Sequence, residues 1–182
     1  AELLREIKNI CKEKYVIIEY GFESTLNKTL NLINRCHTYE QAVEAVNLTH
    51  ENKILSGAHL IMGLPNETYE EMIQHARNIS KLPLHTVKLH QLQILKNTKA
   101  EQMYAENPDL FTMFSPQAYI ELVAEFLSFL NPDIIPERFT SESPKEMLIA
   151  PNWGGLKNFE FLHKLNEYMK LNGLEQGQNF GK

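Results

Sequence analysis

Thiols are scarce: Cys11 and Cys36 are the two cysteines of the 182-residue chain. They lack metal-ligand spacing, so neither a zinc site nor a disulfide framework is indicated, and both read as reduced, partly buried thiols. Long apolar runs are missing as well. The longest, Tyr15–Ile18 and Ala58–Met62, fall far short of the roughly 20 residues that cross a bilayer. No charged-then-apolar leader opens the chain, which predicts no membrane partner and a cytoplasmic setting. Basic residues are outnumbered, 18 Lys and Arg against 23 Asp and Glu, for a formal charge of −5. Without a basic surplus, no nucleic-acid backbone is evident as a general partner. The GxGxxG, Walker, GxSxG and HExxH signatures do not occur.

What is present is a globular composition, 43% hydrophobic and 23% charged, in a length suited to one domain. Apolar runs alternate with helical patterns, which predicts an α/β chain with parallel strands flanked by helices. Helices are expected over Glu2–Glu13, with Leu3, Leu4, Ile7 and Ile10 on one face, over Leu26–Asn34 and over Tyr39–Asn52. Thr38 and Gln41 form a capping box for the last of these. Thr68 and Glu71 repeat that box and open a helix to about Lys81. Strands are expected at Tyr15–Phe22 (buried on both sides by its composition), Ile54–Met62, within Leu84–Leu95 (strongest at Val87–Leu92) and Ile134–Thr140. A short helix at Lys99–Glu106 leads to a surface loop, Pro108–Ser115. Ser115 and Pro116 then start an apolar helix to Leu130. The last helix, Leu156–Asn172, ends on Gly173, and the polar, Gly-rich tail from Glu175 is expected to fray.

Ligands of parallel α/β folds lie beyond the carboxyl ends of the strands. The segment Gly57–Thr68 is therefore read as a buried strand that empties into a ligand-contacting loop. Gly63 permits close backbone approach there, and Pro65 stiffens the exit. Alternation places Glu19 with Ile17 and Gly21 on one face of the first strand. His59 stands within Ala58–Met62, and Lys88 and His90 alternate against Val87, Leu89 and Gln91. Burying a carboxylate or an ammonium is costly unless it is paired, so Glu19, His59, Lys88 and His90 are expected to point into one polar cavity. Trp153, in Pro151–Gly155, reads as a packing residue that can also cover a pocket.

Three ordered segments carry a further message: Glu19-Tyr20-Gly21-Phe22-Glu23-Ser24-Thr25, Ile33-Asn34-Arg35-Cys36-His37-Thr38-Tyr39, and His59 through Thr68. Lys88-Leu89-His90-Gln91-Leu92 and Leu148–Trp153 extend the set. Together they resemble the C-terminal half of a radical S-adenosylmethionine Fe–S oxidoreductase, related to the elongator catalytic subunit and to oxygen-independent coproporphyrinogen oxidase. The resemblance implies part of a (β/α)6 TIM-like barrel, with residues 1–142 as a barrel half and 143–182 as a C-terminal helical extension. It also implies S-adenosylmethionine and a [4Fe–4S] cluster in the parent, and a 5′-deoxyadenosyl radical that abstracts hydrogen from an unknown substrate. On this likeness Glu19, Glu23 and Ser24 lie near the ribose or methionyl end of the cofactor. Arg35 pairs with its carboxylate, and Met62, Gly63, Leu64 and Pro65 pack against its adenosyl group. His59, Lys88 and His90 face the substrate.

Members of the family usually carry Gln at the position of Glu23 and Gly at that of Cys36. Three thiolates are needed for a cluster with one open iron, and two are present. The chain is accordingly expected to be a fragment, inactive alone and lacking the N-terminal half of its barrel. Such a fragment should self-associate through the open edge of its first strand. Two other readings follow from the same residues: a complete small α/β ligand-binding module, or an acid–base or metal enzyme built on Glu19, His59 and His90.

Overall fold

Seven helices and six strands follow one another in the computed structural model, which describes residues 2–182. Local signals set most helix starts. Thr38 and Thr68 cap α3 (Tyr39–Glu51) and α4 (Tyr69–Ile79), each closing its capping box through Gln41 and Glu71. Ser115 accepts from the Ala118 amide to start α6 (Pro116–Phe129), with Pro116 inside the first turn. Between the helices run β1 (Ile17–Glu23), β2 (Leu55–Met62), β3 (Thr86–Gln91) and β5 (Ile135–Arg138), all parallel in the order β1-β2-β3-β5. A two-stranded antiparallel pair, β4 (Ile94–Leu95) with β6 (Leu148–Ala150), is too short for a period-two signal and went unpredicted.

The two faces of the sheet have opposite chemistry. Phe22, Ala58, Leu60, Met62, Val87 and Leu89 point to the helical side and pack with residues of α3, α4 and α6. A third layer forms where α7 (Asn158–Asn172) buries Phe161 and Leu165 against α6. Tyr119 is the hub, fully buried among Phe114, Trp153 and Phe161, and its hydroxyl donates to the Phe139 carbonyl at 2.8 Å. Burial of each such side chain contributes about 1.5–3 kcal/mol, which concentrates the stability of the fold on the helical side. The other face carries the polar residues described below.

Several expectations change. Strand β1 is the edge of the sheet, and Phe22 is its one buried residue among exposed and half-buried neighbours. Helix α1 (Glu2–Ile10) ends a turn earlier than predicted and buries nothing; Leu3 and Ile10 are largely exposed. Its amphipathic pattern is real, but among the described residues the stripe is covered only in part, with Leu4 and Ile7 half-buried. The loop at 108–115 is anchored rather than loose, because Phe111 and Phe114 are buried and the Leu110 carbonyl accepts from the Asn66 amide at 2.8 Å. The tail does not fray. Gly177 and Asn179 donate to the carbonyls of Leu127 and Ser128, and the Gln176 amide reaches the carbonyls of Asn131 and Ile134. Backbone docking of this kind leaves no hydrophobic period for sequence reasoning to find.

Candidate functional site

Four strands bring one row of side chains into register on the polar face: Gly21 opposite His59, His59 opposite Lys88, and Lys88 opposite Arg138. Glu19 stands one step before this row and His90 one step beyond it. Lys88 forms an ion pair with Glu19 and a second with Glu137 at 3.1 Å. The bond to Glu19 raises the pKa of the Lys88 ammonium, ahead of a smaller opposing effect of burial. Lys88 therefore lies between two carboxylates and does not snorkel away. The imidazoles of His59 and His90 meet edge to face, with ring centroids 4.1 Å apart. So Glu19, His59, Lys88 and His90 do share one polar surface.

Strict alternation would have hidden half of the remaining residues. In β5 the register slips between Val87 and Lys88, so that Pro136 faces Val87 and Arg138 faces Lys88. Glu137 and Arg138, adjacent in sequence, both reach this face as a result: Glu137 pairs with Lys88, and Arg138 Nη2 donates to His90 Nε2. In β1 the register slips between Gly21 and Glu23, and Glu23 takes a left-handed φ of 60°. Its carboxylate turns toward His59, with Oε2 3.7 Å from Nδ1. Bulges re-aim side chains in this way and are over-represented beside active sites.

Arg35 completes the array from the loop after α2 (Asn27–Leu32). Its Nη2 donates to the Gly21 carbonyl at 2.9 Å and lies 3.3 Å from Glu23 Oε1. A side chain at position 21 would meet both groups at 2.6 Å, so glycine is what lets them cross the strand. Burial pushes the pKa of Glu23 up, and the nearby Arg35 only partly offsets this. Burial also depresses His59, followed by the positive charge of Arg138. His90 is held down to about 3 by burial first, then by His59, Arg138 and Lys88. A neutral His90 is what allows Nε2 to accept from Arg138. Two atoms of the array, Glu23 Oε2 and His59 Nε2, are sealed from solvent without a hydrogen-bond partner. Each such orphan costs about 1–3 kcal/mol, which the packing leaves uncompensated.

Other residues inferred from the sequence are spent elsewhere. Ser24 is fully buried, and its hydroxyl donates to Glu67 Oε1. Glu67 Oε2 lies 3.3 Å from His75 Nε2, while His75 Nδ1 bonds Thr25 and Thr25 accepts from Asn78. This sealed network ties the turn after β1 to α4, so in this structure the Ser24 hydroxyl supports the Glu23 turn. The Met62 side chain is buried in the apolar core with Leu60, and the Met72 sulfur accepts from the Gly63 amide; Leu64 is buried as well. Gly63 has φ 93°, but the space above it is taken by the Thr112 carbonyl, so its close approach is to the chain itself. Pro65 is likewise buried. Among the described residues no three or more His, Cys, Asp or Glu side chains gather as a metal site. Glu19 is held by Lys88, and His90 by Arg138, which removes the proposed Glu19–His59–His90 triad.

A cavity of about 560 Å³ lies at the carboxyl ends of β3 and β5, between Gln91 and Gln93 on one side and Lys145, Trp153 and Lys157 on the other. Gln91 and Gln93 hold its wall by bonding the backbone of Ser141 and the hydroxyl of Ser143. The Trp153 ring stacks on Phe161 and its indole N–H donates to the Phe114 carbonyl. It therefore both packs and lines the cavity. Among the described residues no helix is long and apolar enough to cross a membrane.

Comparison with known proteins supplies the frame for this geometry. An uncharacterised protein of Methanocaldococcus jannaschii is 32% identical over 164 residues, covering 90% of this chain and 50% of its own length. YtqA of Bacillus subtilis, also uncharacterised, is 31% identical over 166 residues, covering 91% of this chain and 51% of its own. The chain thus spans about half the length of these curated relatives. The solved structure of Methanocaldococcus infernus Elp3 with an N-terminal deletion matches with a TM-score of 0.79 at 20% identity. That match covers 94% of this chain and 40% of the solved one, and it shows a common fold. Residues 1–79 match the radical SAM superfamily model, and residues 84–171 match the radical SAM C-terminal domain model. With almost its whole length divided between those two matches, the chain belongs to the radical SAM superfamily.

Proposed function

We propose that this chain is part of a cytoplasmic radical S-adenosylmethionine Fe–S enzyme, and that the polar face of its sheet is the wall against which S-adenosylmethionine and an unidentified substrate are held. When bound in the parent, the cofactor and cluster supply the one-electron chemistry that removes hydrogen from a substrate carbon. The residues of this chain bind and orient. The observation that carries the reading is the pair of sealed, unpartnered atoms, Glu23 Oε2 and His59 Nε2, beside the guanidinium of Arg35. An amino-acid carboxylate suits the exposed fork of Arg35. Ser24, Met62, Gly63, Leu64 and Pro65, all buried in this chain, would back that wall from behind.

Two cysteines, against the three thiolates required by a cluster with one open iron, support a cluster held by residues outside this chain. On that reading the chain alone cleaves no S-adenosylmethionine, and the rest of a (β/α)6 barrel continues from the open edge of β1. The parent protein, reconstituted anaerobically with iron and sulfide, should convert S-adenosylmethionine to 5′-deoxyadenosine. A yield no greater than that of a variant stripped of its cluster cysteines would overturn the proposal. The cavity beside Trp153 supports the second reading, a small ligand-binding module without catalysis. Normal S-adenosylmethionine binding without any cleavage by the reconstituted parent would favour it.

A further inference from the structure

Among the described residues, the polar face has one cation that its carboxylates leave alone. Lys88 has two acidic partners, Glu19 and Glu137, and Arg35 has Glu23. Arg138 has none within 4 Å among the described residues; its interaction is with the neutral acceptor His90 Nε2. This isolation is built rather than incidental. Glu137 is the adjacent residue in sequence, yet the bulge in β5 turns it to Lys88 and sends Arg138 to the row beyond. A guanidinium offers five donors in a planar fork, and a single imidazole nitrogen takes one of them. The fork that remains matches two oxygens of one anion. The unpartnered Nε2 of His59 belongs to the ring that abuts His90, on the same face.

We infer that Arg138 anchors an anionic group of the substrate, a carboxylate or a phosphate, at the β5 side of the polar face. The inference rests on the reading of that face as the cofactor and substrate wall, and gives its substrate a chemical class. Arg35 and Arg138 stand on opposite edges of a four-stranded sheet. Arg35 is held at the Gly21 carbonyl and Arg138 on the His90 ring, so each guanidinium presents its own fork. The cofactor carboxylate takes the β1 side with Arg35, and the substrate anion takes the β5 side.

Inorganic phosphate and acetate are suitable probes, added in separate NMR titrations of the 182-residue chain with ring-labelled histidine. Saturable shifts of the His90 and His59 ring signals are expected with at least one anion, and the preferred anion tells a phosphate from a carboxylate substrate. Arg138→Gln should weaken that binding at least tenfold, whereas Arg138→Lys, which keeps the charge and loses the fork, should weaken it severalfold. Phosphate and acetate that leave both rings unmoved, or that bind Arg138→Gln as well as the unaltered chain, overturn the inference. A parallel titration with S-adenosylmethionine separates the two readings. Loss of its binding in Arg138→Gln would assign Arg138 to the cofactor and also overturn the inference. If the unaltered chain ignores S-adenosylmethionine but Arg138 still holds the anion, the functional reading fails and the anion site stands.

Discussion

Gly21→Ala tests the cofactor end of the polar face with little disturbance of the fold. The new Cβ would lie 2.6 Å from Arg35 Nη2 and 2.6 Å from Glu23 Oε1. Both are far ends of flexible side chains, and Gly21 is not among the residues with left-handed φ. The side chains swing aside and the backbone stays. The swing breaks the bond from Arg35 to the Gly21 carbonyl and loosens the Arg35–Glu23 pair. Such a hydrogen bond contributes about 0.5–1.5 kcal/mol. The pair, with 41% of the Arg35 side chain exposed, contributes at most about 1 kcal/mol. Alanine recovers about 0.5–1 kcal/mol over glycine within a strand. The net change in stability should therefore stay within about 2 kcal/mol, a shift of at most ~1 M in the urea midpoint at a slope near 2 kcal/mol/M. Ligand affinity should behave otherwise. A displaced guanidinium forfeits a charge-assisted hydrogen bond of about 1.5–3 kcal/mol, so the Kd for S-adenosylmethionine rises about 10- to 100-fold. Urea melts followed by circular dichroism, with saturation-transfer NMR of the S-adenosylmethionine methyl signal, measure the two quantities on the same protein. An unchanged Kd refutes the role given to Arg35, and a stability loss beyond about 3 kcal/mol refutes the claim that only side chains move.

His90, held down to about 3, remains neutral while its unfolded counterpart protonates below pH 6.5. Its contribution to stability is present above pH 6.5 and is lost as pH falls toward 3, by at most about 1.4 kcal/mol per pH unit. Urea melts across this range should be flatter for His90→Gln, and an equal slope would remove His90 from the account. Glu23 carries the opposite sign. Because its folded pKa is raised, its carboxyl favours folding below pH 4.5 and opposes it above, so Glu23→Gln should stabilise the chain slightly at pH 7, as read from the urea midpoint. Glu67→Ala strands Ser24 and His75 inside a sealed network and should lower stability by about 2–5 kcal/mol; a midpoint shift under ~0.5 M urea would contradict it. The open edge of β1, flanked by exposed Tyr15 and Ile17, should pair with a second copy at high concentration. Light scattering that stays at the 21.1 kDa monomer, or an association unaffected by Ile17→Lys, would exclude this.

Sequence reasoning reached the parts of this molecule whose signals are local or periodic. The Thr38 and Thr68 caps are legible because a capping box is a four-residue interaction, and both are present. Glu19, His59, Lys88 and His90 were legible because ionisable residues at period two within apolar runs must share a surface that can hold them. Glu137 and Arg138 escaped notice because a bulge breaks that period, and nothing local in Ile134–Thr140 announces one. Met62 turns its side chain into the apolar core. A resemblance transfers a backbone position, not the direction of a side chain, yet the parity of Met62 with Leu60 and Ala58 already placed it on the apolar side. Ser24 became a structural residue through Glu67, 43 positions away, a partner that no local pattern could supply.

The polar face itself needs an explanation that stability does not provide. It sets Glu19, Glu23 and Glu137 beside Arg35, Lys88 and Arg138, with two neutral imidazoles between them. Partly buried ion pairs of this kind contribute little net stability, and well-packed apolar replacements are often neutral or better. The orphaned atoms of Glu23 and His59 add a further cost. The helical side, with Tyr119, Phe126 and Phe161 fully buried, already supplies the core. Both edge strands moreover break register at neighbouring levels, β1 past Gly21 and β5 before Arg138, and each break turns a charged side chain toward the same surface. Two independent departures from regular pairing, each costly alone and both serving one face, are what a binding wall requires and a merely stable sheet does not.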